Sequence, residues 1–268
     1  EWERTGQLPL RKLEELAEKT HTPFGYLFLP APPEEPVPIR DFRRQRGGQA
    51  PRPSPDLLDT IYGCQFRQAW MSAHLQAEGE PPLAFVGSAS VSDDAEAVAG
   101  RIHAELGLTA DGISATRGVG DAVLRLMALV EDAGIMIQRS GVVGTQSRRR
   151  LDPDEFKGFA LADRYAPLIF VNGKDWPASQ MFTIAHECGH VWIGESAIPY
   201  GAWLEEAPDP TERFCNRVAA AVLMPAEEVR AVWRSTEDPR ANAQRVALHF
   251  RVSRLAALVR GRSLALVP

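Results

Sequence analysis

The 268-residue chain carries 35 acidic against 30 basic side chains, for a net charge of −5, and 44% of its residues are hydrophobic. That balance excludes global electrostatic attraction to nucleic acid, and the length supports one large or two modest domains with ample core. Cys64, Cys188 and Cys215 cannot all pair and show no C-x-x-C spacing; this excludes a full disulfide framework and fits the reducing cytoplasm. Neither a secretory signal nor an apolar run of about 18 residues is apparent, so no membrane association is expected.

In chain order, Glu1-Trp2-Glu3-Arg4-Thr5-Gly6 is followed by the amphipathic Leu10-Arg11-Lys12-Leu13-Glu14-Glu15-Leu16-Ala17. Together they resemble the back half of an Xre-type helix-turn-helix domain. Residues 1–30 are therefore expected to be a partial helix-turn-helix unit, although Leu10–Ala17 also reads as a short packing helix. DNA binding by such a unit would require its recognition helix, upstream of Glu1. Residues 31–55 follow as a linker, because the prolines between Pro30 and Pro38 suit an extended connector. Arg40, Arg43, Arg44, Arg46 and Arg52 form a basic stretch, read as solvated or paired with acidic faces.

Residues 56–117 read as mostly helical. One helix spans Asp56 to Glu78, and a second starts at Ser92, as N-cap, and reaches about Leu106. Leu83–Val86 between them is a weak strand pattern. His74 and His103 stand alone there and read as surface or core residues. Residues 118–268 form the remaining part. It opens with a helix from Val119 to Ala133 ended by Gly134, and strands are expected at Ile135–Gln138, Phe156–Leu161 and Pro167–Val171. Arg148-Arg149-Arg150 falls in a loop between strands. The fold class is α+β, a small antiparallel or mixed sheet packed on helices.

His186-Glu187-Cys188-Gly189-His190 lies in a run that reads as one helix from Met181 to Ile193. Residues four apart share a helix face, so both imidazoles can bind one ion while Glu187 sits close enough to take a proton from a metal-held water. Phe182, Ala185, Cys188 and Trp192 suit an apolar face on the other side of that helix. Catalytic zinc ordinarily has three protein ligands. Glu212 is the leading third donor, on a helix capped by Asp209 with Pro210 at its first position. The same Asp-x-x-Glu spacing is also a capping box, and Glu195, Glu205, Glu206 and Asp209 compete for the role. Asn216, four residues after Glu212, shares its face and would orient a ligand histidine.

The run from Gly158 through Ala166-Pro167-Leu168-Ile169-Phe170-Val171-Asn172 to His186-Glu187, then Glu212-Arg213-Phe214-Cys215-Asn216 and Leu223-Met224-Pro225, resembles the ImmA/IrrE family of zinc endopeptidases. The resemblance spans roughly residues 118 to 260. It implies a zincin-type helix, Zn2+ held by His186, His190 and Glu212, and Glu187 as general base. Cys188 stands where a larger aliphatic residue is commoner. The resemblance also implies a partner: an Xre-type repressor inside bacterial cells, whose cleavage releases stress-response or mobile-element genes.

A substrate strand is expected to add to a sheet edge beside the site. Tyr165, Tyr200 and His249 are the polar residues considered for the oxyanion. Residues 225–262 read as two or three helices closing the core. Within them Ala247-Leu248-His249-Phe250-Arg251-Val252-Ser253 resembles a helix-turn-helix turn. The alternative reading is a DNA-binding transcription regulator that uses the protease fold as sensor or scaffold; a third is a helical protein with no metal.

Overall fold

The computed structural model describes residues 8–31, 33, 36–43, 52–199, 207 and 209–267. Among them, helix α1 (Leu10–Thr20) and a 3-10 turn (Phe24–Phe28) pack on each other. Strand β1 (Arg40–Asp41) leads to the long helix α2 (Pro55–Ala77), whose first turn is closed by Ser54 Oγ accepting from the Leu57 N–H, with Pro55 at the first position. Helices α3 (Ala95–Leu106), α4 (Ala110–Ser114) and α5 (Val119–Asp132) follow. Strands β2 (Met136–Ser140), β3 (Val142–Val143), β4 (Gln146–Arg150), β5 (Gly158–Leu161) and β6 (Leu168–Asn172) come next, then helix α6 (Pro177–Ile193) and strand β7 (Ala197–Ile198). Helices α7 (Pro210–Leu223), α8 (Ala226–Val232), α9 (Pro239–Phe250) and α10 (Arg254–Ser263) complete the fold, which is α+β.

The main sheet is mixed, in the order β1-β7-β5-β6-β2, while β3 and β4 form a separate antiparallel pair. Strands β5 and β6 run antiparallel, Gly158 opposite Val171 and Leu161 opposite Leu168, whereas β2 is parallel to β6 and β1 to β7. Both central strands are buried throughout, as expected of strands covered on two faces. The two-residue alternation of a strand sorts their side chains. Phe159, Leu161, Leu168 and Phe170 join Leu57, Ile61 and Cys64 of α2 in one cluster. Ala160, Ile169 and Val171 join the cluster built from α3, α5, α6 and α7. The sheet is thus the middle layer between α2 and the helical body. At Gly158 a Cβ would lie 2.5 Å from both the Phe170 carbonyl oxygen and Thr183 Cγ2, so α6 sits directly against the strand backbone.

Several expectations are corrected. Among the described residues the sheet has five strands, since β1 and β7 extend it beyond the three read from the sequence. Leu83–Val86 is turn, not strand, and the helix expected at Ser92 begins at Ala95, because Asp94 caps it by accepting from the Glu96 and Ala97 N–H groups. Arg148–Arg150 lies in β4 rather than a loop, and Arg149 is buried: its Nε donates to Asp56 at 2.8 Å and Nη1 pairs with Asp59 at 2.6 Å, pinning β4 to α2. Residues 226–263 form three helices, within the two or three expected there, and buried Arg260 ties them to α3 by donating to the Met224 carbonyl and pairing with Glu96. No helix among the described residues is long and apolar enough to cross a membrane.

Candidate metal centre

Helix α6 crosses the interior. The α-helical run to Ile193 is as expected, but the helix starts at Pro177 rather than at the expected Met181, and the expected division into an apolar and a polar side is not observed. From Met181 to Trp192 every side chain except Phe182 is buried, because the sheet, α5 and α7 cover it from different directions. The polar residues of this helix therefore lie inside the protein. Their hydrogen-bonding groups must be satisfied by one another or by a ligand.

His186 and His190, one turn apart, turn their Nε2 atoms to within 3.1 Å of each other. Helix α7 supplies the third group. Asp209 caps it by accepting from the Thr211 N–H, and Glu212 in the first turn places Oε1 3.0 Å from His190 Nε2 and 3.6 Å from His186 Nε2. The capping box is thus not the geometry seen here, since the Glu212 carboxylate is spent on the histidines. Ligand atoms about 2.05 Å from a tetrahedral zinc would be separated by ~3.3 Å, and the three observed edges bracket that value. Asn216 Oδ1 lies 3.0 Å from His186 Nδ1. A proton on that Nδ1 leaves the Nε2 lone pair facing the cluster. His186, Glu187, His190 and Glu212 are all 0% exposed. Both Glu187 carboxylate oxygens are buried without a hydrogen-bond partner among the described residues, as an acid waiting on a water or substrate would be.

The electrostatics suit ligands. Burial lowers the His186 pKa, with the Glu212 charge opposing, a shift toward the neutral imidazole that a ligand needs. Burial pushes the Glu212 carboxyl up, but the facing His186 and His190 outweigh it and hold it well below the ordinary range. For Glu187 burial and the Glu212 charge act together and raise the carboxyl well above its usual value.

A fourth residue was missed by sequence reasoning. The Cys215 sulfur lies with the His186 and His190 donor atoms inside a 4.8 Å group that would also suit a metal; its signal was the three-residue spacing from Glu212. Burial and the surrounding carboxylates of Glu212, Glu187, Glu195 and Asp209 push this thiol well up, so it would lose its proton only to a metal bound there. Glu212 Oε1 stands 3.0 and 3.6 Å from the two histidine nitrogens, so carboxylate and sulfur both lie within reach of the pair. Cys215 also packs against Gly189, its sulfur 3.2 Å from the place a Cβ there would occupy.

Other expected residues do not join the cluster. Glu195 and Asp209 pair with Arg40 at 3.0 and 3.3 Å. His249 sits in the last turn of α9, which packs chiefly on α10, α8 and α4. His74 stacks on Trp70, and His103 Nε2 lies 2.7 Å from the Val222 carbonyl oxygen. Tyr200, Glu205 and Glu206 lie outside the described residues, as do Arg44, Arg46 and residues 1–7 of the expected helix-turn-helix unit. A contact with no sequence signal covers the centre: Phe42 is buried with its ring stacked on His190, centroids 6.1 Å apart.

Two helical histidines and a carboxylate from the following helix, buried against a mixed sheet, form an arrangement of the metallopeptidase class. Within that class, residues 130–261 match the family model of the IrrE N-terminal-like domain, a peptidase family. The match supports the resemblance to ImmA/IrrE proteins over that stretch and a metallopeptidase-family function. No curated protein matches the chain significantly.

Proposed function

We propose that this protein is a zinc-dependent endopeptidase of the ImmA/IrrE type that cuts a regulatory protein, an Xre-type repressor, in the cytoplasm. The observation that carries the reading is the convergence of His186 Nε2, His190 Nε2 and Glu212 Oε1 at 3.0–3.6 Å. These three residues would hold the zinc, with Asn216 fixing the ring of His186. Bound there, the ion supplies Lewis acidity, lowering the pKa of a water toward about 7 and polarising a peptide carbonyl. Glu187, whose two oxygens have no hydrogen-bond partner among the described residues, takes the proton from the attacking water and returns it to the leaving amine nitrogen. The buried surroundings strengthen both steps by excluding competing water. The repressor as substrate follows from the family resemblance.

The test incubates the zinc-supplied protein with repressors encoded near its gene. The expected result is discrete cleavage that falls about 10²- to 10⁴-fold in Glu187→Gln, while that variant keeps about one zinc per chain. Absence of bound zinc after adding it back, or cleavage that Glu187→Gln leaves intact, would overturn the reading.

A further inference from the structure

The centre is closed on one side by the chain itself. At the outer edge of the main sheet, Arg40 lies opposite Ala197 and Asp41 opposite Ile198, and the Phe42 N–H continues the ladder by donating to the Ile198 carbonyl at 3.0 Å. Residues two apart on a strand point the same way. Arg40 and Phe42 accordingly stand together, the guanidinium 4.6 Å over the ring. Phe42 is seated on His190, and Arg40 reaches Glu195 and Asp209. Those acids flank the cluster closely: Glu195 follows the end of α6, and Asp209 caps the helix that carries Glu212. Asp41 is held by Arg43, which is buried and also bound to Glu155.

This is how an extended peptide would lie beside the metal ligands. Backbone bonds to a sheet edge give affinity without regard to sequence, while pockets for alternate side chains give selection. The hold is light at one end. The paired strand is two residues long, and the Arg40 side chain is 51% exposed, where ion pairs are worth little. Arg43 is the firm anchor. With the four central side chains fully buried, a substrate needs this space.

We propose that residues 39–43 occupy the track taken by the substrate strand, and that the substrate is selected there for a basic residue two positions before an aromatic one. Glu195 and Asp209 receive the cation, and the space over His190 receives the ring. The inference rests on the peptidase reading given above.

A labelled peptide with the sequence of residues 36–43, followed by fluorescence anisotropy, tests it on the full zinc-supplied chain. Arg40→Ala and Phe42→Ala are expected to bind the peptide roughly tenfold tighter than the parent, because a site whose open form is scarce loses apparent affinity in proportion. Replacing the peptide's arginine and phenylalanine by alanine should abolish binding. In the Arg40→Ala background, Glu195→Lys should weaken the peptide and favour one carrying glutamate in place of the arginine, a charge exchange that general destabilisation would not produce. Arg40→Ala keeps the test valid should Phe42→Ala not fold.

Equal peptide affinity in parent and Arg40→Ala, or equal binding of the alanine-substituted peptide, would overturn the proposal. Cleavage that depends on Glu187 without this exchange would sink the track and leave the peptidase. Exchange without such cleavage would keep the track and sink the peptidase.

Discussion

The two faces of the main sheet are made from alternate residues of the same strands, yet they are covered in opposite ways. On one face α2 lays down Leu57, Ile61 and Cys64 against Phe159 and Phe170, whose rings stack 5.0 Å apart at 9°, and turns its other side outward. That outward side is itself aromatic, with Tyr62, Phe66 and Trp70 40%, 76% and 61% exposed. On the other face α6 is enclosed and carries histidines and a glutamate into the interior. One face is cohesive and chemically plain. The other buries charge, which costs stability unless a ligand compensates. The lesson is that cohesion is supplied by one layer so that its neighbour can hold reactive groups.

Mutations should separate the two roles. The largest expected effect is on the reactive face: Glu187→Gln, beyond the loss of cleavage already described, removes a buried acid whose pKa is raised by burial and by Glu212. Its thermal midpoint without metal should therefore rise, and a fall would contradict the account of its burial. On the cohesive face, Phe159→Ala should cost about 3–5 kcal/mol in denaturant titration, with zinc stoichiometry unchanged in the folded fraction. Asn216→Ala should weaken zinc binding about 10- to 100-fold, measured by chelator competition, with a small change in stability.

An alkaline titration compares the faces directly. Cys64 on the cohesive side and Cys188 on the reactive side are both pushed up to about 12 by burial. An unfolded thiol titrates near pH 8.5, so the stabilisation is complete below that pH and declines as pH rises toward the folded value, by ~1.4 kcal/mol per pH unit for each thiol. Cys64→Ala should make the slope of stability between about pH 9 and 11 shallower by one thiol's share; an unchanged slope would contradict the burial. The smallest effect is expected from Trp70→Ser, within ~0.5 kcal/mol, unless a partner covers that stripe.

How legible this was varies with distance along the chain. His186 and His190 announce themselves, since a helix brings residues four apart together whatever surrounds them. The α7 start was readable from Asp209 and Pro210, but choosing Glu212 over its capping-box role needed the family resemblance, because local spacing fits both. The β5 and β6 strands were found within two residues, being continuous apolar runs. Burial of Arg149 was not readable, as its acids Asp56 and Asp59 lie on a helix 93 and 90 positions earlier. Nor was Phe42 over His190, because a proline-rich approach carries no periodicity that says where it docks. Even the all-round enclosure of α6 was hidden, since its sequence records which residues are apolar and not how many neighbours arrive.

Position 189 sets a ruler between the two helices of the centre. Its missing side chain lets the α6 backbone come up to Cys215 on α7, one residue before His190 and three after Glu212. Any substituent there would wedge those backbones apart by a few tenths of an ångström, the scale on which a coordination sphere succeeds or fails. The spacing that any bound ion would meet is thereby set by an atom that the chain does not have.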